Sequence, residues 1–323
     1  MQARWALTLL LAATSGAGAQ PDAAHGFPSK PVRWVVGFAP GASNDVIARS
    51  IGARLSEIWG QQFIIDNRAG AGGMIGGEIV ARAAPDGYTV LLSTGGPSVG
   101  SPLLTKKAPY RVEDFTQVAI AASNPLVLVV TASFPAKTPR ELVDYLKANP
   151  FKVNWASAGI NSTPHVGLAI FTAATGVQAT HVPYKGAAVA LIDIVSGQVD
   201  GMHTSVASAE SQIRSNRVRV IAVAGPKRMT SIPDVPTLAE AGIMDADVPN
   251  FYGMAAPLRT PPAIVRKLNA GFNQALAAPE VRRRLTDLGM DIVGGSAEEA
   301  GNFVRREAAR IRGLIEKGVL KPE

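Results

Sequence analysis

Strand-like and helix-like segments alternate along most of this 323-residue chain, and that order limits the possible folds more than any other feature. Residues 32–39 (VRWVVGFA) form the short apolar run of a strand, and Ile47, Ile51 and Leu55 then recur at helical spacing. Residues 61–84 repeat the strand–helix order, and YTVLLST begins a third unit. Alternation of this kind predicts an α/β fold, with helices on both faces of a largely parallel sheet.

Two segments interrupt the alternation and predict a second domain. FTQVAIAASNPLVLVVTA is typical of two adjacent strands separated by Asn124 and Pro125, and VPNFYGMAAP resembles a return crossing. We predict that domain 1 comprises residues 27–124 and 251–323, and that domain 2 comprises residues 125–250. The cleft between two such domains lies at the carboxyl ends of the strands, where open α/β sheets bind ligands.

Residues 1–19 have the features of a signal peptide. A basic start is followed by an apolar stretch over Trp5–Ala13 and by small residues that end at Ala19, before Gln20. A buried N-terminal helix is the alternative, but the small-residue ending and the polar linker at residues 20–26 favour export. We therefore expect cleavage near Ala19/Gln20 and a mature protein that is soluble and exported.

Three loops rich in small and polar residues follow predicted strands and precede predicted helices. They cover residues 37–45, 93–101 and 157–165. The first, GFAPGASND, leaves peptide N–H groups accessible at the positive end of a helix dipole, which favours an anion. We expect the three loops to converge on the cleft.

Several kinds of active site are excluded by the residues present. The chain has no cysteine, so it has no disulfide scaffold, no cysteine-ligated metal and no thiol nucleophile. GAGGMIGG (70–77) has Ile75 where the dinucleotide fingerprint requires its last glycine, so a turn that opens a helix explains it better. No cofactor is expected.

The titratable residues give no positive support for catalysis. The histidines at positions 25, 165, 181 and 203 lack the spacing of a local metal site. Asp45, at the start of a predicted helix, suits a cap or a loop brace better than a catalytic acid. We find no nucleophile with a base and an orienting partner, so neither a metal nor an enzymatic activity is expected.

A positive net charge of +7 suits acidic ligands rather than nucleic acid. The basic clusters Arg282–Arg284 and Arg305-Arg306 lie in helical segments, without the interleaved aromatic residues that stack on bases. They are predicted to be solvated helix faces, and no nucleic-acid partner is expected.

Four long motifs resemble, in order, those of the Bug-type periplasmic receptors, the solute-binding components of tripartite tricarboxylate transport systems. The motifs are KPVRWVVGFAPGASND, IDNRAGAGGMIGGEIVARAAPDGYTVLLST, HVPYKGAAVALIDIVSGQVD and IPDVPTLAEAG. The similarity extends from about Phe27 to the C-terminus. It implies a two-domain Venus-flytrap fold, with a hinge of two crossing segments and a small organic acid held in the cleft.

The resemblance also implies which residues contact the ligand. A carboxylate would be held by backbone N–H groups and hydroxyls from one loop of each domain. The first loop corresponds to Phe38, Ala39, Pro40, Gly41, Ala42, Ser43, Asn44 and Asp45, and the opposing loop to Ser157, Ala158, Gly159, Ser162 and His165, with Ser93, Thr94, Tyr184, His203 and Thr204 at the border of the cleft.

This chain departs from the family pattern at Ala42, where the family usually has glycine. Alanine keeps the N–H group but narrows the space and restricts φ. A neutral clamp of amides suits a receptor because it binds a carboxylate without desolvating a lysine or arginine, and the ligand can leave again.

The resemblance implies a monomer that delivers its ligand to the membrane subunits of a transporter. Two alternatives stay open: a receptor that feeds a signalling protein, and an exported α/β enzyme that acts on a carboxylate. The sequence does not distinguish a dicarboxylate from a tricarboxylate, an acidic amino acid or an aromatic acid as the ligand.

Overall fold

The computed structural model describes residues 24–322, so the predicted signal peptide lies outside the described residues. The first part of the chain comprises β1 (Val32–Val36), α1 (Ser43–Trp59), β2 (Phe63–Asn67), α2 (Met74–Ala81), β3 (Thr89–Thr94), α3 (Ser101–Leu104) and β4 (Phe115–Thr131). The middle part comprises α4 (Pro139–Ala148), β5 (Asn154–Ser157), α5 (Thr163–Thr175), β6 (Thr180–Pro183), α6 (Ala187–Ser196), β7 (Gly201–Thr204), α7 (Val206–Arg214) and β8 (Val218–Ala224). The last part comprises β9 (Pro249–Pro257), α8 (Pro262–Ala277), α9 (Pro279–Asp287), β10 (Asp291–Gly294) and α10 (Ala297–Glu316).

The strands form two sheets that share β4. In the first sheet the order is β2-β1-β3-β9-β4, with β10 also on β4; β1 runs parallel to β2 and β3, whereas β9 and β10 are antiparallel to their neighbours. In the second sheet β4 pairs antiparallel with β7 and β8, and β7-β5-β6 are parallel. The fold is α/β, as the sequence predicted.

Strand β4 is one continuous element, so the prediction of two separate strands over residues 115–132 is wrong. Pro125 lies inside it, at the point where β4 leaves the first sheet and enters the second. There Asn124 pairs with Asn250 and Pro125 with Pro249, at the very start of β9. The proline is tolerated because the ladder with β9 ends at this position, so its missing N–H breaks no central pairing.

Apolar stripes bury the helices against the sheets. Ile47, Ile51 and Leu55 of α1 are fully buried with Trp34 and Phe272 in the core of the first sheet, which confirms the predicted helical stripe. The side chain of Thr138 caps α4 and that of Ser296 caps α10. Within residues 24–322, no helix combines the length and the apolar character that crossing a bilayer requires.

Candidate ligand-binding site

A small cavity of about 30 Å³ lies between the two sheets, next to strands β4 and β9. The residues that line it are Phe38, Ser43, Asn44, Thr94, Leu126, Ala158, Thr163, Pro164, Ala187, Thr204, Ser205, Ser208, Asn250 and Tyr252. All three predicted loops contribute to this set. A volume of this size suits ordered water, and a small organic acid would need more room than this arrangement of the two domains leaves.

Four helices begin at this cavity. Ser43 starts α1, Thr163 starts α5, Ala187 starts α6, and Ser205 is the cap of α7. In α1, α5 and α6 the cap residue makes no side-chain hydrogen bond to the first turn. In α1 the Ser43 N–H donates instead to Ser208 Oγ at 3.2 Å. Four positive helix ends around one space favour an anion.

Within the described part of the chain, no lysine, arginine, aspartate or glutamate lines this cavity. The lining itself can therefore contribute positive potential only through peptide dipoles. An anion bound here would be held by amides and hydroxyls, without the cost of burying a cationic side chain.

Two threonine hydroxyls are left without partners at the same place. Thr94 ends β3 and Thr204 ends β7, and their side chains are 3% and 1% exposed. Neither Oγ1 has a hydrogen-bond partner among residues 24–322. Buried polar groups nearly always have a hydrogen-bond partner. The two unpartnered hydroxyls therefore indicate that the cavity binds a polar molecule, either water or a ligand.

A network of hydroxyls joins the domains beside the cavity. Ser43 Oγ lies 2.9 Å from Tyr252 Oη and 3.0 Å from Ser208 Oγ. Asn250 Nδ2 donates to Tyr252 Oη at 2.7 Å and to Asn124 Oδ1 at 3.2 Å. The start of α1 is thus connected to α7 of the second sheet and to both crossing strands.

Asp45 braces the first loop instead of facing the cavity. Its Oδ2 accepts hydrogen bonds from the Gly41 N–H at 3.2 Å and from Arg49 Nε at 2.9 Å. Asn67 Nδ2 adds a bond to Phe38 O at 3.0 Å. Burial raises the pKa of Asp45, but hydrogen bonds from Arg49, Gly41 and Asn67 outweigh it and leave the pKa below its ordinary value.

Replacing this brace, as Asp45→Asn, should lower the free energy of unfolding by about 1–2 kcal/mol at pH 7, because two charge-assisted hydrogen bonds are weakened. The pKa of Asp45 is lower in the folded state, so its contribution is present above the unfolded pKa and is lost as the pH falls through the folded pKa. Urea denaturation should therefore show a difference from wild type that disappears in strong acid. Asp144→Asn, at an exposed carboxylate on α4, is the control; equal effects of the two changes would contradict the brace.

The rest of the first loop brings the two domains into contact. The Ala39 N–H donates to Lys185 O of domain 2 at 3.0 Å. A Cβ atom at Gly41 would lie 3.7 Å from the Cβ of Ala188, whereas Pro40 is exposed. Ala42 is buried as the cap residue of α1.

Three residues predicted at the border of the cleft point elsewhere. Ser93 Oγ donates to Gln117 Oε1 at 2.8 Å, inside domain 1. Tyr184 Oη donates to Asp193 Oδ2 at 2.6 Å, and burial together with this carboxylate raises the pKa of Tyr184 to about 12. His203 is fully buried and accepts a hydrogen bond from Trp155 Nε1 at 3.0 Å; burial lowers its pKa to about 3.

The polar side chains of the opposing loop mainly hold the loop itself. Ser157 Oγ lies 2.7 Å from His181 Nε2, and Ser162 Oγ donates to Gly159 O at 2.6 Å. The His165 ring stacks on the His181 ring with centroids 4.1 Å apart. Burial and the nearby His165 lower the pKa of His181 to about 4.

Eight residues at the cavity were not among the predicted contact residues: Leu126, Thr163, Pro164, Ala187, Ser205, Ser208, Asn250 and Tyr252. Of these, Thr163 and Pro164 lie within the predicted loop 157–165. The carboxyl end of β7 and the polar run after it offered a signal for Ser205 and Ser208. No sequence signal placed Asn250 and Tyr252, because they lie inside a crossing strand.

A larger groove of about 640 Å³ lies between α10 and the start of β4. Its lining includes Glu113 and Arg312, which form an ion pair with each other at 3.1 Å. The interdomain cavity is the stronger candidate, because it combines converging helix ends with unpartnered hydroxyls. Within the described residues, no group of three histidine, aspartate or glutamate side chains is arranged to hold a metal ion.

Two α/β domains joined by crossing strands, with a cavity between them at which four helices begin, define a two-domain periplasmic binding protein. A family model for the receptors of tripartite tricarboxylate transporters matches residues 47–320. BugT of Bordetella pertussis is 33% identical over 305 residues, covering 94% of this chain and 93% of BugT. The chain therefore belongs to this receptor family, and the resemblance to Bug-type receptors is confirmed.

Two solved structures agree with this assignment. Rpa4515 of R. palustris, solved with adipate, has a TM-score of 0.88 and 32% identity, covering 92% of this chain and 100% of that one. MatC (Rpa3494) of Rhodopseudomonas palustris, solved with bound malate, has a TM-score of 0.85 and 35% identity, covering 88% of this chain and 98% of that one. The predicted two-domain binding-protein fold is confirmed.

Proposed function

We propose that this receptor binds a small organic carboxylate, with dicarboxylates as the first class to consider, in the cavity between its domains. The observation that carries the proposal is the pair of buried, unpartnered hydroxyls of Thr94 and Thr204 at the converging ends of four helices. Similarity to proteins solved with adipate and malate supports the ligand class. The bound acid would bridge both domains and be delivered, unchanged, to transporter membrane subunits.

The neutral lining of the cavity supports a receptor over an enzyme. Peptide dipoles and hydroxyls can hold a carboxylate, but among the described residues that line the cavity there is no histidine, lysine or carboxylate to act as a base and activate a hydroxyl. The proposal includes a periplasmic, monomeric mature chain that begins near Gln20. It also includes the domain boundaries at residues 124/125 and 250/251.

A thermal-shift screen of residues 20–323 tests this proposal directly. The panel contains malate, adipate, citrate, glutamate and benzoate. An acid present at one hundred times its dissociation constant should stabilise the protein by about 2.7 kcal/mol, which is visible as a raised melting temperature.

Calorimetry and recovery of the acid then separate the alternatives. A stabilising acid recovered unchanged after long incubation supports the receptor and identifies the ligand class. Conversion of the acid would favour an exported enzyme. No stabilisation by any member of the panel would contradict carboxylate binding.

A further inference from the structure

The two domains also meet outside the cavity, where Gly100 of domain 1 contacts Asn161 of domain 2. A Cβ atom at Gly100 would overlap the carbonyl oxygen of Asn161. Neither residue lines the cavity. The contact is therefore part of the domain interface and not of the ligand's own surroundings.

Position 100 requires glycine because a side chain there would clash with Asn161, and not because the backbone has an unusual conformation. Its φ of −63° and ψ of −53° are helical, and it directly precedes α3. Alanine is favoured over glycine by about 1 kcal/mol in such a conformation. The one severe obstacle to a side chain here is the backbone of the opposite domain.

The other side of the contact is held in place by several bonds. Asn161 is 5% exposed and has a φ of +64°, which is unusual for a residue other than glycine. Its N–H donates to His165 Nδ1 at 3.0 Å. Its side-chain Nδ2 crosses the interface and donates to Thr105 Oγ1 at 3.0 Å.

A second close approach lies beside the first. A Cβ atom at Gly72 would overlap the carbonyl oxygen of Ile160, and one at Gly159 would lie 2.8 Å from the Gly72 nitrogen. The loops therefore approach each other backbone to backbone at neighbouring points. A methyl group here would hold the domains apart.

We propose that Gly100 and Asn161 are positioning residues that set ligand affinity from outside the binding site, because full closure of the domains depends on their contact. This inference rests on the proposed function, in which the ligand bridges both domains. A ligand that contacts both domains gains its full binding energy only in the closed state. Any group that disfavours closure weakens the apparent affinity by the same factor.

Gly100→Ala is the direct test, with malate and adipate as probes in calorimetry. Partial loss of closure should raise Kd by at least about tenfold, mainly through faster dissociation. Thr105→Val removes the acceptor of the cross-domain hydrogen bond and should raise Kd about fivefold. Gly313→Ala, at a position on α10 with no neighbouring atoms, is the matched control and should leave Kd unchanged.

Domain closure can be measured apart from affinity. The chain has no cysteine, so spin labels at Arg68→Cys and Ile192→Cys, one exposed site in each domain, report an interdomain distance without background. We expect the wild type to show a short-distance population that grows with ligand. Gly100→Ala should lack most of this population without ligand and should regain it only at about tenfold higher ligand concentration.

The outcomes separate this inference from the proposed function. Equal short-distance populations and equal Kd in wild type and Gly100→Ala would overturn the role of the contact. A wild type that shows the short-distance population, but in which no acid increases it, would contradict carboxylate binding. The role of the Gly100–Asn161 contact would then still be tested by comparing the ligand-free wild type with ligand-free Gly100→Ala. No short-distance population in any condition would overturn the closing contact as well.

Discussion

Replacing Thr94 and Thr204 together by valine should weaken carboxylate binding by about 100-fold or more, because each lost hydrogen bond to a charged group is worth about 1.5–3 kcal/mol. Both side chains are buried at the cavity, and neither hydroxyl has a partner within residues 24–322. Valine has nearly the same shape, so the cavity should keep its form. Calorimetry with malate and adipate would measure the loss.

The same double change should leave the ligand-free protein as stable as wild type, or more so, since the replaced hydroxyls satisfy no other described group. The matched control is Thr172→Val with Thr175→Val. Both of those hydroxyls donate to carbonyls within the same segment of chain, at 3.0 Å and 2.6 Å. The control should lower the melting temperature and spare affinity. Unchanged affinity in the Thr94 and Thr204 variant would remove these hydroxyls from the site.

Lowering the pH from 7.5 to 5 should cost the ligand-free protein about 3 kcal/mol of unfolding free energy. Burial lowers the pKa of His203 to about 3, and burial with the nearby His165 lowers that of His181 to about 4, against an ordinary value of 6.5. Below pH 6.5 both histidines bind protons in the unfolded chain, whereas in the folded chain they stay neutral until the pH approaches their lowered pKa values. His203 accounts for about 2 kcal/mol of the loss and the half-buried His181, screened by solvent, for about 1 kcal/mol.

Urea denaturation across this pH range would measure the loss. His203→Gln keeps an acceptor for Trp155 Nε1 but removes the titrating group, so it should flatten the pH dependence by about two thirds. His25→Gln, at an exposed position, should change nothing. A His203→Gln variant that keeps the full pH dependence would show that another group causes it.

The alternation of apolar runs predicted most of the fold because helices and strands bury one face with different spacings of apolar residues, every third or fourth residue in a helix and every second residue in a strand. Helix α7 was not predicted from the sequence. Its buried residues are Val206 and Ala209, and this apolar stripe is too short to stand out among the polar residues around it. The sequence did not predict that β4 is continuous, because a proline at position 125 normally indicates the end of a strand. Only the partner strand β9, more than a hundred residues later, makes a proline acceptable there.

The site was predicted to the level of loops but not of side chains. Successive residues of a strand point to opposite faces. Of the neighbours Ser93 and Thr94, Thr94 lines the cavity and Ser93 points into domain 1; of His203 and Thr204, Thr204 lines the cavity and His203 points into domain 2. Because both faces of these strands are buried, no pattern in the sequence distinguishes the two directions.

Strand β4 has a consequence for how the molecule unfolds. The same seventeen residues supply a strand to each sheet, so neither hydrophobic core is complete without them. Loss of pairing in one half exposes the edge of the other half. We therefore expect the two domains to unfold together, which calorimetry would show as a single transition. Two domains that share one strand would then remain coupled in unfolding even though they can move relative to each other.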